Sequence, residues 1–242
     1  MCTVTFIPTR RGVLLSSNRD ESPLRKKALL PMITKAEDGD LIYPTDGLAS
    51  GTWVGVHSSG VVMVLLNGAA NSFASQTSFS RSRGLVVKQL LNSDNHHNEW
   101  SYIDLANVAP FTLVVWQHPS LFELSWNGRQ KHCLYKNPGK PHIWSSSTLY
   151  DINAMKKREQ WFTKWVDKNK DPDSKSLYQM LRSCNDEHDG FVMNRKDTLR
   201  TLSISLIEIS RSRINFRYFD LLTGTMALLT MDLKRKHESV LL

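Results

Sequence analysis

MCTVTFIPTRRGVLLSSNRDE, residues 1–21, contains two alternating runs of apolar and polar residues, Thr3–Ile7 and Gly12–Ser17. They are joined by Pro8-Thr9-Arg10-Arg11-Gly12. Period-two alternation broken by a Pro/Gly turn predicts a β-hairpin. The second strand ends in a dense polar cluster, Asn18-Arg19-Asp20-Glu21. Antiparallel pairing sets the start of one strand beside the end of the other, so Cys2 is expected next to that cluster.

Cys2 directly follows the initiator methionine. Removal of Met1, which a small second residue permits, leaves a thiol and a free α-amine on one residue. The ordinary pKa of that amine, about 7.7–8.0, suits it to act as base for its own side chain, as in N-terminal nucleophiles. In this reading Asp20 holds or orients the amine, Arg19 favours thiolate, and Asn18 donates to a developing oxyanion. The other reading makes Cys2 a small buried residue at a strand start.

Working outward, a chain of 242 residues is long enough for one large domain or two small ones, with ample surface to bury, and a single domain spanning 1–242 is the expectation. Its 40% hydrophobic and 22% charged residues are ordinary for a globular protein. No basic segment leads into an apolar run at the start, and no run reaches the length of a membrane span, so neither a signal peptide nor an integral membrane segment is expected. Three cysteines, at positions 2, 133 and 184, make no disulfide framework. A cytoplasmic location is the expectation. The net charge of +8 is dispersed over short clusters such as Arg25-Lys26-Lys27 and Lys234-Arg235-Lys236. No nucleic-acid motif accompanies them, so nucleic acid is not an expected partner.

Pro23, Pro31 and Pro44 argue against a long helix in Ser22–Leu48, which reads as irregular, with a turn at Tyr43-Pro44-Thr45-Asp46-Gly47. It is either a wall or lid of the pocket or a surface connection that touches no ligand. Gly51–Val56 and Val61–Leu66 form a second hairpin, whose all-apolar second strand is expected to be buried on both faces. Asn67-Gly68 lies where that strand ends, as a pocket residue or as an ordinary turn. Asn71–Arg81 reads as loop, and Ser82 caps a helix to Leu91. The His96-His97 pair is expected to be exposed, and no metal spacing accompanies it. Phe111–Trp116, Leu121–Trp126 and Lys131–Tyr135 predict a meander. A polar cluster, His142–Thr148, precedes an amphipathic helix at about Asp151–Asp167, with Ile152, Met155, Trp161, Phe162 and Trp165 on one face. Leu177–Leu181 is a short helix, and Leu199–Ile209, Ile214–Asp220 and Thr225–Met231 are three further strands. The tail after Asp232 is charged. Hairpins at both ends with helices between them indicate α+β with antiparallel sheets.

The opening motif resembles that of the NRDE family, which includes the animal transport and Golgi organisation protein two. The likeness continues through Gly51-Thr52-Trp53-Val54-Gly55, Leu66-Asn67-Gly68, Ser82-Arg83-Gly84, His142–Ser146 with Leu149-Tyr150, and Phe191–Asn194 with Arg200-Thr201. The Trp-Ser-Ser variant is similar to that of bacterial members. The family in turn resembles the cysteine branch of the Ntn hydrolases. That resemblance implies a four-layer αββα sandwich of two antiparallel sheets, with the site at one end between the sheets. It also implies Cys2 as nucleophile, Asn18 and Asp20 as its nearby Asn-x-Asp, and Asn67 as an oxyanion-hole donor. The chain departs from the branch at Ser17, where an arginine is expected, and near Ser146–Ser147, where a second asparagine is expected. Arg200 is a candidate for the branch's late arginine. These substitutions bear on hydrolase activity more than on fold.

The resemblance further implies intracellular haem trafficking, and this is the leading functional expectation. Haem would be a transported ligand rather than a resident cofactor, passed to an acceptor protein, and no metal is required. The expected ligand-binding set is Arg19, Glu21, Trp53, Trp144, Ser146, Ser147 and Arg200. In it Trp53 and Trp144 line one pocket, Arg19 faces propionates, and Cys2 or His142 ligates iron. The alternative is an N-terminal-cysteine amidohydrolase of linear acyl amides. A further alternative is acyl-CoA or lipid binding.

Overall fold

The computed structural model describes residues 3–73, 79–183 and 186–234. Thr3–Thr9 (β1) and Gly12–Glu21 (β2) form the opening hairpin, followed by Leu29–Ala36 (β3) and Gly39–Thr45 (β4). Val54–His57 (β5) and Val62–Asn67 (β6) precede two helices, Arg83–Leu91 (α1) and His96–Tyr102 (α2). Phe111–Gln117 (β7), Ser120–Trp126 (β8), Lys131–Lys136 (β9) and His142–Ser145 (β10) lead into Ile152–Lys168 (α3) and Ser174–Ser183 (α4). The described chain closes with Asn194–Arg195 (β11), Leu199–Ile209 (β12), Arg213–Asp220 (β13) and Met226–Asp232 (β14).

One sheet runs β10-β1-β2-β12-β13-β14, with β11 beside β12; the other runs β3-β4-β5-β6-β7-β8-β9. Every ladder is antiparallel. Side chains alternate across a strand, and β1 and β2 use the alternation to face two cores. Val4, Phe6 and Leu15 pack against the second sheet, whose own core extends to Val86, Val87 and Leu90 of α1. Ile7 and Leu14 face the other way, against Phe162 of α3 and Leu177 and Leu181 of α4. The layers are therefore helices, sheet, sheet, helices: the αββα architecture. β2 and β6 lie inside it, which explains why Val62–Leu66 is buried on both faces.

Four expectations need correction. Ser22–Leu48 is not irregular, because β3 and β4 occupy most of it. Their prolines are accommodated by position. Pro31 lies on an edge strand within a register shift between Leu29 and Met32, and Pro44 lies opposite that shift, so neither breaks a regular ladder. The turn begins at Asp46, after Thr45 has ended the strand. His96 is buried rather than exposed; it opens α2 with Nδ1 2.6 Å from the Leu90 carbonyl oxygen. On α3, Ile152 points to solvent and the buried face runs through Ala154, Arg158 and Phe162. The polar His142–Ser145 stretch is an edge strand on β1.

Candidate functional site

Thr3 pairs with Asn18 across the opening hairpin. The residue bonded to Thr3 on its N-terminal side is Cys2, which itself lies outside the described residues, as does Cys184. β2 then presents its polar end on two faces. Asn18 and Asp20 share the helix-side face with Thr3, while Arg19 points between the sheets. On the far side of β2, Asp20 pairs with Thr201 and Arg19 with Ser203. The extra residue Leu202 makes a β-bulge beside the cluster, a common device for re-aiming side chains at a site.

Asp20 is buried, with a polar clamp on its carboxylate. The Tyr150 hydroxyl donates to Oδ2 at 2.8 Å, and Thr201 Oγ1 donates to Oδ1 at 2.6 Å. Thr201 Oγ1 in turn accepts from the Met193 N–H at 2.9 Å. Asn18 is fully buried and donates through Nδ2 to the Phe191 carbonyl at 2.7 Å. Its Oδ1 has no hydrogen-bond partner among the described residues.

Below Tyr150 lies Arg158, completely buried on α3. Its guanidinium is 3.9 Å from the Tyr150 ring centroid and donates to Thr3 Oγ1 and, at 3.3 Å, to the Asp189 carbonyl. Among the described residues, Nε has no partner and no carboxylate forms an ion pair with Arg158. A fixed, buried positive charge thus sits against the residue next to Cys2.

The other face of the cluster is organised by Asp46. Arg19 donates to its Oδ2 at 2.7 Å, and Arg25 reaches both oxygens, at 2.9 and 3.0 Å. Asp46 also accepts the Leu48 and Ala49 N–H groups. Burial alone would raise its pKa, but the Arg25 hydrogen bonds, the Ala49 N–H and the charges of Arg25 and Arg19 outweigh burial and hold it at about 2. Arg25 is shifted up in return, chiefly by its hydrogen bond to Asp46. The Arg19 guanidinium lies 4.5 Å from the Trp53 ring centroid, a cation–π contact. Trp53 is buried, and its Nε1–H has no partner among the described residues.

These groups border a cavity of about 100 Å³ whose wall also includes Glu21, Asn67, Ser82 and Arg83. Asn67 ends β6, and its carbonyl accepts the Ser146 hydroxyl at 2.8 Å. Gly68 follows at φ +80°, where a Cβ would lie 2.5 Å from Ser147 Oγ. That close approach lets the Ser146–Thr148 turn sit against the end of β6.

The structure thus gathers Arg19, Glu21, Trp53 and Asn67 around one cleft, with Ser146 and Ser147 behind Asn67, while Asn18 and Asp20 lie on the opposite, helix-side face of β2. It does not bring Trp144 to Trp53. Trp144 lines a separate cavity of about 420 Å³ with His142, Ile143 and Phe162, and its Nε1–H donates to Glu123 at 2.8 Å. Arg200 lines a third cavity of about 760 Å³ and pairs with Asp197 at 3.5 Å. Sequence reasoning assigned no role to Arg25, Asp46, Tyr150, Arg158 or Thr201. For Tyr150 and Thr201 the signal lay in the family-like segments that contain them.

The family model described as Transport and Golgi organisation 2 matches residues 1–234. The chain belongs to that family. No curated protein sequence matches this family member. Among solved structures, it resembles a mutant conjugated bile acid hydrolase from Clostridium perfringens, with TM-score 0.60 and 9% identity over 98% of this chain and 97% of that one. It also resembles the Caenorhabditis elegans ortholog of N-acylethanolamine-hydrolyzing acid amidase. There the TM-score is 0.60 and the identity 13%, over 85% of this chain and 92% of that one. These likenesses establish that the family member has the Ntn-hydrolase fold. Among its described residues, no helix is long and apolar enough to cross a membrane.

Proposed function

We propose that the protein is an N-terminal-cysteine hydrolase of linear acyl amides. The observation that carries this reading is the Thr3–Asn18 register, which sets the residue adjoining Cys2 opposite Asn18, two residues before the buried, clamped carboxylate of Asp20 on the same strand. With Met1 removed, the Cys2 amine takes the thiol proton as sulfur adds to the amide carbonyl. The oxyanion is stabilised by the Asn67 side-chain amide. Collapse returns the proton to the departing amine and leaves a thioester. Water, deprotonated by the same α-amine, then adds to the thioester carbonyl, the carbon–sulfur bond breaks, and the ammonium returns its proton to the Cys2 sulfur as the carboxylic acid leaves. Asp20 orients the amine, with Tyr150 and Thr201 holding its oxygens. The fold shared with a bile acid hydrolase and an acylethanolamine amidase supports the choice of amide substrate.

The test is turnover of a panel of N-acyl amides by protein whose mass shows Met1 removed. Cys2→Ala is expected to lose all but about a thousandth of the wild-type kcat while retaining its thermal melt. Asn67→Ala is expected to lower kcat by about a hundredfold or more with little change in KM. Equal rates for wild type and Cys2→Ala would refute the mechanism.

Haem handling is the second reading, favoured by the aromatic face of Trp53 and the Arg83 side of the cleft, although Arg19 and Arg25 there are already paired with Asp46. It loses ground because Trp144, expected as the second wall, lines another cavity. It predicts saturable one-to-one haem binding, weakened by Arg19→Ala. A titration that never saturates would reject it.

A further inference from the structure

Between Ser22 and Lys35 the chain has four basic residues and no acidic one. The same segment is unusually rich in exposed aliphatic side chains: Leu24 is 94% exposed, Leu29 63% and Met32 64%, and Leu30 and Ile33 are exposed as well. Lys26 and Lys27 are exposed between them. β3, which contains most of this segment, is the terminal strand of its sheet and, among the described residues, pairs only with β4. The 46–50 turn extends the surface. A Cβ at Gly47 would lie 2.1 Å from the Lys27 carbonyl oxygen, so the turn carrying exposed Leu48 sits directly against the two lysines. Arg25, in the middle of the segment, is the residue that grips Asp46 in the cleft wall. The apolar and cationic surface therefore lies at the mouth of the candidate site.

The geometry points to this surface as a docking face for an anionic lipid bilayer. Leu24, Leu29, Leu30, Met32 and Leu48 enter the boundary between headgroups and acyl chains, while Lys26 and Lys27 meet acidic headgroups. Charge complementarity selects this occupant. A two-fold copy of the chain would carry its own Lys26 and Lys27 into the same desolvated contact, where like charges repel. An anionic membrane covers the aliphatic groups and neutralises the lysines together. The inference stands whichever amphiphile the cleft accepts.

The full chain is sedimented with vesicles of phosphatidylcholine alone and with vesicles in which about a third of the lipid is phosphatidylserine. Wild type is expected to bind the acidic vesicles, and to release from them as salt rises to about 0.5 M. Lys26→Glu with Lys27→Glu should weaken that binding by about tenfold or more, and Leu24→Asp with Leu29→Asp should do the same. All four side chains are exposed, so thermal melts of the variants should match wild type. Equal binding to both vesicle types would overturn the proposal, as would no binding to either. A concentration-dependent dimer abolished by Met32→Asp would overturn it too, by assigning the face to a second copy.

Discussion

The Tyr150 hydroxyl donates to the Asp20 carboxylate at 2.8 Å across a sequence separation of 130 residues, and both groups are buried. Thr201 completes the clamp from β12 at 2.6 Å. A buried carboxylate that loses such a donor retains its desolvation cost. Tyr150→Phe is therefore expected to lower the unfolding free energy by about 1.5–3 kcal/mol, and Thr201→Val by a comparable amount. Because both donors serve one carboxylate, the double variant should depart from additivity by about 0.5 kcal/mol or more. Urea denaturation of the four proteins measures this, and strict additivity would show that the two donors act independently.

Asp46 gives the fold an acid-sensitive joint. Its folded pKa, about 2, is depressed below the ordinary carboxyl value of 3.8. The folded state therefore binds the proton less readily than the unfolded chain. The stability from this group is fully present above the unfolded pKa and is lost as pH falls from about 4 through about 2. The loss should amount to at most about 2 kcal/mol. Asp46→Asn removes the charge at every pH, leaving Arg19 and Arg25 together without their shared anion. The variant should be less stable than wild type at neutral pH, and its stability should fall less steeply between pH 4 and pH 2. Chemical denaturation across that pH range provides the check; parallel slopes would mean that another carboxylate dominates.

The contrast between what the sequence revealed and what it hid has a physical basis. The opening hairpin was legible because its alternation and turn are local, and Asn18–Glu21 was legible as a polar cluster because it breaks that alternation at the end of the second strand. α1 was legible from Ser82, whose side chain accepts the Gly84 N–H. β3 and β4 were hidden because Pro31 and Pro44 signal breaks, and only the facing strand shows that both fall at one register shift. Asp46 looked like part of a turn, which it is, but its arginine partners lie 21 and 27 residues earlier. The separation of Trp53 from Trp144 was also beyond local patterning. It depends on which sheet each residue joins, and edge strand β10 returns to β1 only in three dimensions.

Gly84 makes a steric joint between α1 and the loop before β5. A Cβ there would lie 2.8 Å from the Thr52 carbonyl oxygen and 2.9 Å from its nitrogen, both backbone atoms that have no rotamer to yield. The Thr52 N–H donates to the Gly84 carbonyl at 3.0 Å, so helix and loop cannot separate without losing that bond. Gly84→Ala should cost about 1–3 kcal/mol and shift Ser82 and Arg83 relative to the cleft. Leu85→Ala, at a neighbouring exposed position, should remain within about 0.5–1 kcal/mol of wild type. Equal thermal melts for the two variants would mean that the joint has slack.

Arg158 is costly to bury, and its contacts do not offset that cost as a carboxylate would. It is fully buried and donates to a hydroxyl and a carbonyl, with Nε unpartnered among the described residues. Replacing such a group with an apolar side chain of similar length is often neutral or stabilising, because the desolvated charge disappears with its partners only partly orphaned. Arg158→Met is therefore expected to unfold within about 1 kcal/mol of wild type, or at higher denaturant, and its methionine should pack against Tyr150 and Phe191. Arg158→Lys keeps a buried charge but loses the planar fork that reaches both Thr3 and the Asp189 carbonyl, and should be less stable than the methionine variant. If the cation is kept for the site rather than the fold, the methionine variant should remain folded yet lose amide turnover. Guanidinium denaturation and turnover, measured on one preparation, separate the two roles. A methionine variant destabilised by more than about 3 kcal/mol would make Arg158 a structural residue.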